Sequence, residues 1–288
     1  MNSKKLTLIA FLLFTVINCF SQTNDPVKDT AKSESSLTFN LLYSSNTVYL
    51  GRYDANYKSY LNPGLTYLNK TGLFVSLNSD YYPELKTNNI TDYSFEAGYQ
   101  FKLVEQLTGS VYFSSMHSNA NSAKVNSGVG NTFGTYLSYD NDILNIGSGL
   151  DFSRGKFSDV QFTPNINKSI DFSFGTFFQF DASIDPTLTL SYGSQNFYRY
   201  YLIDRKYKNA TVIARINEHL KEMQKFQLLD YEFSVPVTLT YNKLSFNATP
   251  FYIIPENQPN FKGILPLLPG YKVSTSTFYL QFGISYQF

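Results

Sequence analysis

The chain ends on Gln281-Phe282-Gly283-Ile284-Ser285-Tyr286-Gln287-Phe288. The order is polar, any, glycine, any, any, aromatic, any, aromatic, with an aromatic residue closing the sequence. Further back, polar and apolar residues alternate over long stretches. Tyr93, Phe95, Ala97, Tyr99, Phe101 and Leu103 interleave with Asp92, Ser94, Glu96, Gly98, Gln100 and Lys102. Ile170, Phe172, Phe174, Thr176, Phe178 and Phe180 interleave with Asp171, Ser173, Gly175, Gln179 and Asp181. Tyr231, Phe233, Val235, Val237, Leu239 and Tyr241 interleave with Glu232, Ser234, Thr238 and Thr240. Successive side chains point to opposite faces of a strand, so each segment has one oily and one polar face.

A soluble antiparallel sandwich also alternates. Three features favour a membrane barrel over it. The segments run to about 10–13 residues, the reach of a tilted membrane strand, where globular strands average about 5–6. Their polar faces are rich in Gly, Ser, Thr and Asn, which suit a lumen. The 26 Phe and 24 Tyr include many tyrosines near segment ends, where interfacial girdles sit. Beyond the N-terminus no segment approaches the roughly 18 consecutive apolar residues of a spanning helix.

Together with this alternation, the terminal octapeptide resembles the C-terminal assembly signal of Gram-negative outer-membrane β-barrel proteins, with Gln281, Gly283, Tyr286 and Phe288 at its pattern positions. The resemblance implies that the barrel-assembly machinery recognises the last strand, which then closes the barrel. It also implies a setting among outer-membrane lipid and lipopolysaccharide. It extends over residues 36–288 and reaches no narrower family, and a fold does not imply a function.

The other end agrees. Residues 1–21 read as a cleaved secretory signal, with Lys4 and Lys5 before the apolar run Leu6 to Ile17 and Cys19-Phe20-Ser21 before the cut. A lipid-modified Cys19 is the other reading, but it needs a small residue before the cysteine, where Asn18 stands. Cleavage removes the only cysteine, and with it disulfide, thiolate-metal and cysteine chemistry. Removing Lys4 and Lys5 moves the formal net charge from +1 to −1, with no basic bias pointing to nucleic acid. Residues 22–35 read as a flexible periplasmic lead-in.

The expected fold is all-β: a transmembrane antiparallel up-and-down barrel over 36–288. Twelve strands are expected near 36–48, 58–69, 72–82, 91–103, 107–117, 128–140, 143–154, 170–182, 187–199, 228–241, 243–254 and 273–288. Tight turns at 69–72, 104–106, 141–142, 183–186 and 242–243 alternate with longer stretches, including 155–169 and 200–227. Within 155–169, Val160 to Asn167 has strand character, which leaves a count of fourteen as the alternative. Pro63, Pro236 and Pro250 fall inside expected strands and predict bulges or irregular pairing there.

No cofactor is called for. The sequence has no Gly-rich phosphate loop, no HExxH and only two histidines, His117 and His219, so a site built from several His ligands is not expected. Ser115, His117 and Asn119 recur at every second residue on a lipid-facing parity. A twelve-strand outer-membrane phospholipase family carries Ser, His and Asn on the outside of its barrel in the local order His-x-Ser-Asn-Gly. Here the order is His117-Ser118-Asn119-Ala120, Ser118 points the other way and the glycine is missing, so polar residues at a strand end are the better reading.

Loop 200–227 is the main functional candidate. Arg199, Arg205, Lys206, Lys208, Arg215, Lys221 and Lys225 face only Asp204, Glu218 and Glu222. Ala210 to Phe226 can form an amphipathic helix with Val212, Ile216, Leu220 and Met223 on one face. The lumen parity instead carries the acids Asp80, Asp92, Glu96, Asp151, Asp171, Asp181 and Glu232. A basic helix folded into an acidic mouth would constrict a narrow, cation-preferring pore for small solutes. The same cations would alternatively contact lipopolysaccharide on a non-conducting interaction barrel, or stand solvated.

Overall fold

The structure, a computed structural model, describes residues 34–53, 59–175, 178–219, 223–259, 261, 268 and 275–288. The expected signal peptide and nearly all of the lead-in lie outside the described residues, as does Lys221.

Twelve antiparallel strands close into one barrel. They are β1 (Ser36–Ser44), β2 (Tyr60–Leu68), β3 (Leu73–Tyr81), β4 (Ile90–Val104), β5 (Leu107–Ser118), β6 (Val129–Tyr139) and β7 (Asn145–Gly155). Next come β8 (Ser158–Phe162, Asn165–Asn167 and Ile170–Phe174), β9 (Phe180–Ile184 and Thr187–Gly193) and β10 (Gln227–Ser234 and Val237–Tyr241). The last two are β11 (Leu244–Pro255) and β12 (Thr277–Gln287). Each strand pairs with its chain neighbours, and β12 returns to β1 from Thr38↔Gln287 to Ser44↔Gln281. The Phe288 amide adds a bond to the Leu37 carbonyl at 2.9 Å.

Closure follows from the solvent. A backbone group left unpaired in hydrocarbon costs several kcal/mol, so a sheet crossing a bilayer keeps no edge there. Leu73, Val75 and Leu77 of β3 and Phe278, Phe282 and Ile284 of β12 stand exposed on the outside, while Ser76, Asp80, Thr277 and Gln281 are buried inside. Of the terminal octapeptide, Gln281 and Gly283 face inward, and Tyr286 and Phe288 stand exposed and edge-to-face at 5.0 Å. A Cβ on Gly283 would come no closer than 3.6 Å to a neighbour, so the folded barrel does not itself demand glycine there.

The strand count of twelve stands, but the β8–β9 hairpin differs from the sequence expectation. Residues 155–169 are not a long loop, and 183–186 is not a turn. β8 runs from Ser158 to Phe174 and β9 from Phe180 to Gly193 in one unbroken register, from Gln161↔Gly193 to Phe174↔Phe180. The chain reverses between Phe174 and Phe180, and Gly175 has φ 111°. Three prolines hide this continuity. Pro164, Pro186 and Pro236 each lack an N–H, which mimics a turn. Their carbonyls nonetheless stay in the ladder, accepting from Leu190 (2.9 Å), Lys168 (3.3 Å) and Asp185 (2.9 Å). Merging 158–167 with 170–174 while opening 175–179 leaves the count unchanged.

The described tight turns, the start of β1 and the end of β12 lie at one end of the barrel, and the long connections lie at the other, except for the two-residue turn at Lys156-Phe157. The long-loop end is external in the usual orientation of such barrels.

The β8 register is open to a direct check. In a chain starting at Gln22, a fluorophore on Val160→Cys or Ile166→Cys should be quenched strongly by brominated lipid, and one on Gln161→Cys or Asn165→Cys weakly. Equal weak quenching at all four sites would restore a loop over 155–169.

Candidate functional site

Segments from five connections meet over the long-loop end. β9 runs into helix α1 (Asn196–Tyr200), which continues as a π-helical stretch (Tyr201–Lys206). Asp159 of β8 supplies the missing cap: its carboxylate accepts the Asn196 amide at 2.9 Å, the Phe197 amide at 2.8 Å and the Ser194 hydroxyl. A carboxylate there satisfies free N–H groups and favours the helix dipole. Helix α2 (Ala210–His219) is capped by Asn209, whose side-chain oxygen accepts from Thr211 at 2.9 Å and Val212 at 3.3 Å. The described helix is shorter than the expected span 210–226. Residues 220–222 lie outside the described residues, and Met223 is buried beyond the helix end.

The apolar faces of these helices build a core of their own. Phe197, Leu202 and Ile216 are fully buried, together with Val125 of the β5–β6 loop and Phe261 and Leu268 of the β11–β12 connection. Tyr49, from the short ladder Val48–Tyr49 with Arg52–Tyr53 in the β1–β2 connection, meets Phe197 edge-on at 4.9 Å. The loops therefore form a folded cap with a dry interior. Loop 200–227 is not simply solvated.

Two cations, buried Arg52 and half-buried Lys124, fasten the cap, and neither stands out in the sequence. Arg52, 2% exposed, donates Nε to Gln195 at 2.9 Å, Nη1 to the Leu229 carbonyl at 3.4 Å and Nη2 to the Glu256 carbonyl at 2.6 Å. One planar guanidinium thus joins the β1–β2 connection, the start of α1 and two strand ends. Lys124 of the β5–β6 loop reaches into the mouth, pairs with Asp80 and lies 5.7 Å from the centre of the Tyr60 ring. Tyr60 stacks on Tyr82 at 5.5 Å. Burial alone would push the Lys124 ammonium down. The opposing effect of Asp80, with Tyr60, Tyr82 and Asp92, prevails and holds it above the usual lysine range.

The expected lumen acids separate by height. Asp80 and Asp92 are buried at the mouth. Asp80 also accepts from Asn62 at 2.7 Å, and Asp92 accepts from Thr91 at 2.5 Å, Ser122 at 2.8 Å and Ser118. Asp151 lies deeper and accepts the Tyr112 hydroxyl at 2.5 Å. Gly134 makes room for that pair, since a Cβ there would sit 2.1 Å from Asp151 Oδ1 and 2.2 Å from Tyr112 Cζ. Glu96 and Glu232 are half-buried on the inward parity. Asp171 and Asp181 are exposed in the β8–β9 hairpin at the short-turn end, with Asp181 accepting from Ser173 at 2.6 Å.

The cations of loop 200–227 also separate. Arg205 donates to the carbonyls of Asn119, Ala120 and Ser122 at 3.0–3.4 Å, tying this loop to the one that carries Lys124. Lys206 lies over Tyr201 at 5.6 Å, and Lys208 donates to the Asp204 carbonyl. Arg199 and Lys225 are exposed, and Arg215 belongs to α2. On β5, His117 is exposed, and Asn119 is occupied by the Ile90 carbonyl at 2.9 Å and the Asn121 amide at 2.8 Å. Among the described residues no hydrogen bond joins Ser115 to His117.

The closed barrel and its belt of exposed apolar side chains decide the class. The chain is a twelve-stranded transmembrane β-barrel. No family profile matches it, and no curated protein matches it in sequence. Among solved structures, a KdgM porin aligns at 12% identity over 88% of this chain and 99% of that one, with a TM-score of 0.44. A NanC porin aligns at 15% identity over 87% and 98%, with a TM-score of 0.47. LpxR from Salmonella typhimurium aligns at 11% identity over 87% and 99%, with a TM-score of 0.46.

Removing one partner of a buried ion pair costs about 3–5 kcal/mol. Asp80→Asn should therefore free the β5–β6 loop and make the Lys124–Val125 bond a rapid trypsin site in the folded barrel. In the wild type that bond should resist equally at pH 7 and pH 9. A raised lysine value means that the pair's contribution is fully present below about pH 10.4 and is lost only as pH rises through the raised value. Rapid cleavage of the wild type would show that Lys124 is not held.

Proposed function

We propose that this barrel passes small solutes through a narrow lumen gated at its external mouth by the loop cap. The observation that carries this reading is the asymmetry of the interior. Toward the short-turn end the inward parity bears small polar side chains such as Thr66 and Ser76, whose hydroxyls lie 2.9 Å apart, beside the buried ring of Phe74. At the mouth it bears Tyr60, Tyr82 and the buried acids, with Lys124 inserted among them. Released from Lys124, Asp80 and Asp92 would present uncompensated negative charge and favour cations.

The alternative is a non-conducting barrel whose cap is a permanent surface for a partner. The continuous dry core of the cap favours it, because such a core makes a stable lid.

Single-channel recording in planar bilayers separates the two. The wild type should conduct little. Ile216→Asp, which puts a charge into the cap core, and replacement of 204–226 by a short Gly-Ser linker should each give discrete conductance. Lys124→Gln should raise the preference for cations. Silence from every variant, with heat-modifiable gel migration confirming folded barrels, would reject the pore and leave the lid reading.

A further inference from the structure

We propose that the lumen binds a calcium-type divalent cation among Glu96 of β4, Asp151 of β7 and Gln161 of β8. The site rests on the side chains of the wall, so it stands whether or not the barrel conducts.

The pairing register assembles it. Asp151 lies directly across from Gln161 on β8 and from Gly134 on β6, and Gly134 lies across from Tyr112 on β5. Glu96 pairs with Ser114 and comes within electrostatic reach of Asp151. All three side chains are on the inward parity, and Asp151 and Gln161 are each 1% exposed. Two of the three are held in place. Tyr112 fixes one oxygen of Asp151, in the space that Gly134 leaves open. Gln161 Nε2 donates to the Tyr49 hydroxyl at 2.6 Å, and the Tyr49 ring packs edge-on against Phe197 in the cap core. With the amide nitrogen used on Tyr49, the carbonyl oxygen of Gln161 is left over. That oxygen and Oε1 of Glu96 are buried and accept no hydrogen bond among the described residues.

The neighbouring cations are committed elsewhere. Lys124 pairs with Asp80. Lys102 shares the inward parity of β4 with Glu96 but is exposed six residues further toward the short-turn end, about 20 Å along a strand. Arg154 of β7 is exposed on the outward parity. Two like charges brought together away from water call for a counter-charge between them. Gln161 distinguishes this place from an ordinary acidic lumen, because a neutral, buried acceptor faces the acid across the strand pair.

The donor chemistry selects the ion. Each donor is an oxygen, which suits a hard cation and not a metal that seeks thiolate or imidazole. Two carboxylates match a divalent charge. Two carboxylates and an amide oxygen on three different strands make an irregular set. Calcium, with a flexible shell of about six to eight oxygens, accepts such a set, whereas magnesium demands a near-ideal octahedron.

The test is terbium luminescence of the chain starting at Gln22, refolded in zwitterionic detergent in the presence of terbium. Tyr112 touches Asp151, so energy transfer from tyrosine reports an ion at this place. The wild type should bind a single terbium ion saturably and release it to calcium at far lower concentrations than to magnesium, with sodium ineffective. Glu96→Gln, Asp151→Asn and Gln161→Leu should each weaken binding by about tenfold or more, since affinity follows the number and charge of the ligands. Gln161→Glu adds a charge and should bind more tightly, which damage to the fold cannot produce. Asp171→Asn, at an exposed acid near the short turns, should leave binding unchanged. Calcium should also raise the unfolding temperature of the wild type and not that of Glu96→Gln. Heat-modifiable migration checks that each variant is folded. No saturable binding, displacement by magnesium as readily as by calcium, unchanged affinity in the Glu96→Gln/Asp151→Asn double variant, or an equal loss in Asp171→Asn would each overturn the proposal.

Discussion

A bilayer interior offers no hydrogen bonds, so each backbone N–H and C=O inside it has to be satisfied by the protein. The rest of the structure depends on that constraint. It forces β12 back onto β1, sets the start of β1 and the end of β12 at one end of the barrel, and makes the terminal octapeptide half of the closing seam. It also explains how prolines survive in the wall. Pro164, Pro186, Pro236 and Pro250 remove donors, but each carbonyl still accepts from a neighbour, and no register slips around Pro186 and Pro236. A proline costs one bond where it stands. A slip would turn every oily side chain beyond it to the inside.

The cap obeys a different solvent. Its loops project beyond the bilayer, so they form a small water-facing domain with its own core, as a soluble protein would. Most of that core comes from the β9–β10 connection, and the neighbouring connections complete it. It is shared among α1, α2, Val125, Tyr49 and the β11–β12 connection, and the polar cost of bringing these together falls largely on Arg52. Arg52 is tolerable in the interior because three of its donors meet acceptors already oriented by strand and helix ends. The arrangement couples the loops: whatever moves one of them exposes part of a common core.

The architecture was legible in the sequence because alternation is a local property. Eleven or so residues of period two, as around Tyr93 to Leu103, declare a wall strand without reference to anything distant. Asn242-Lys243 is equally local, with Asn242 at φ 55° accepting the tight turn. The β8–β9 hairpin is hidden in the sequence for the same reason. Pro164 and Lys168 interrupt its outward parity, and only pairing with β9 shows that Val160, Phe162, Ile166, Ile170, Phe172 and Phe174 belong to one face. The mouth was the least legible part. Lys124 sits in a stretch, NSAKVNS, that reads as an ordinary polar loop. Arg52 lies in a connection with no periodicity. Nothing local marks either as buried, because their partners are 44 and 143 residues away.

The fate of the basic loop shows why charge counted along a sequence is a weak guide to charge in space. Seven cations near 199–225 read as one positive patch, yet Arg205 is used on backbone carbonyls, Lys206 on a tyrosine ring, and Arg199 and Lys225 face outward. The cation that does meet the mouth acids comes from another loop. The chemistry of the two side chains accounts for the division. A guanidinium has five donors in a fixed plane and suits a cluster of carbonyls, as at Asn119, Ala120 and Ser122. An ammonium is a compact point charge on a flexible stem and suits one carboxylate beneath an aromatic ring, as at Asp80 and Tyr60. Arg205 therefore holds the loop that delivers Lys124, and the two loops act on the acidic mouth in series.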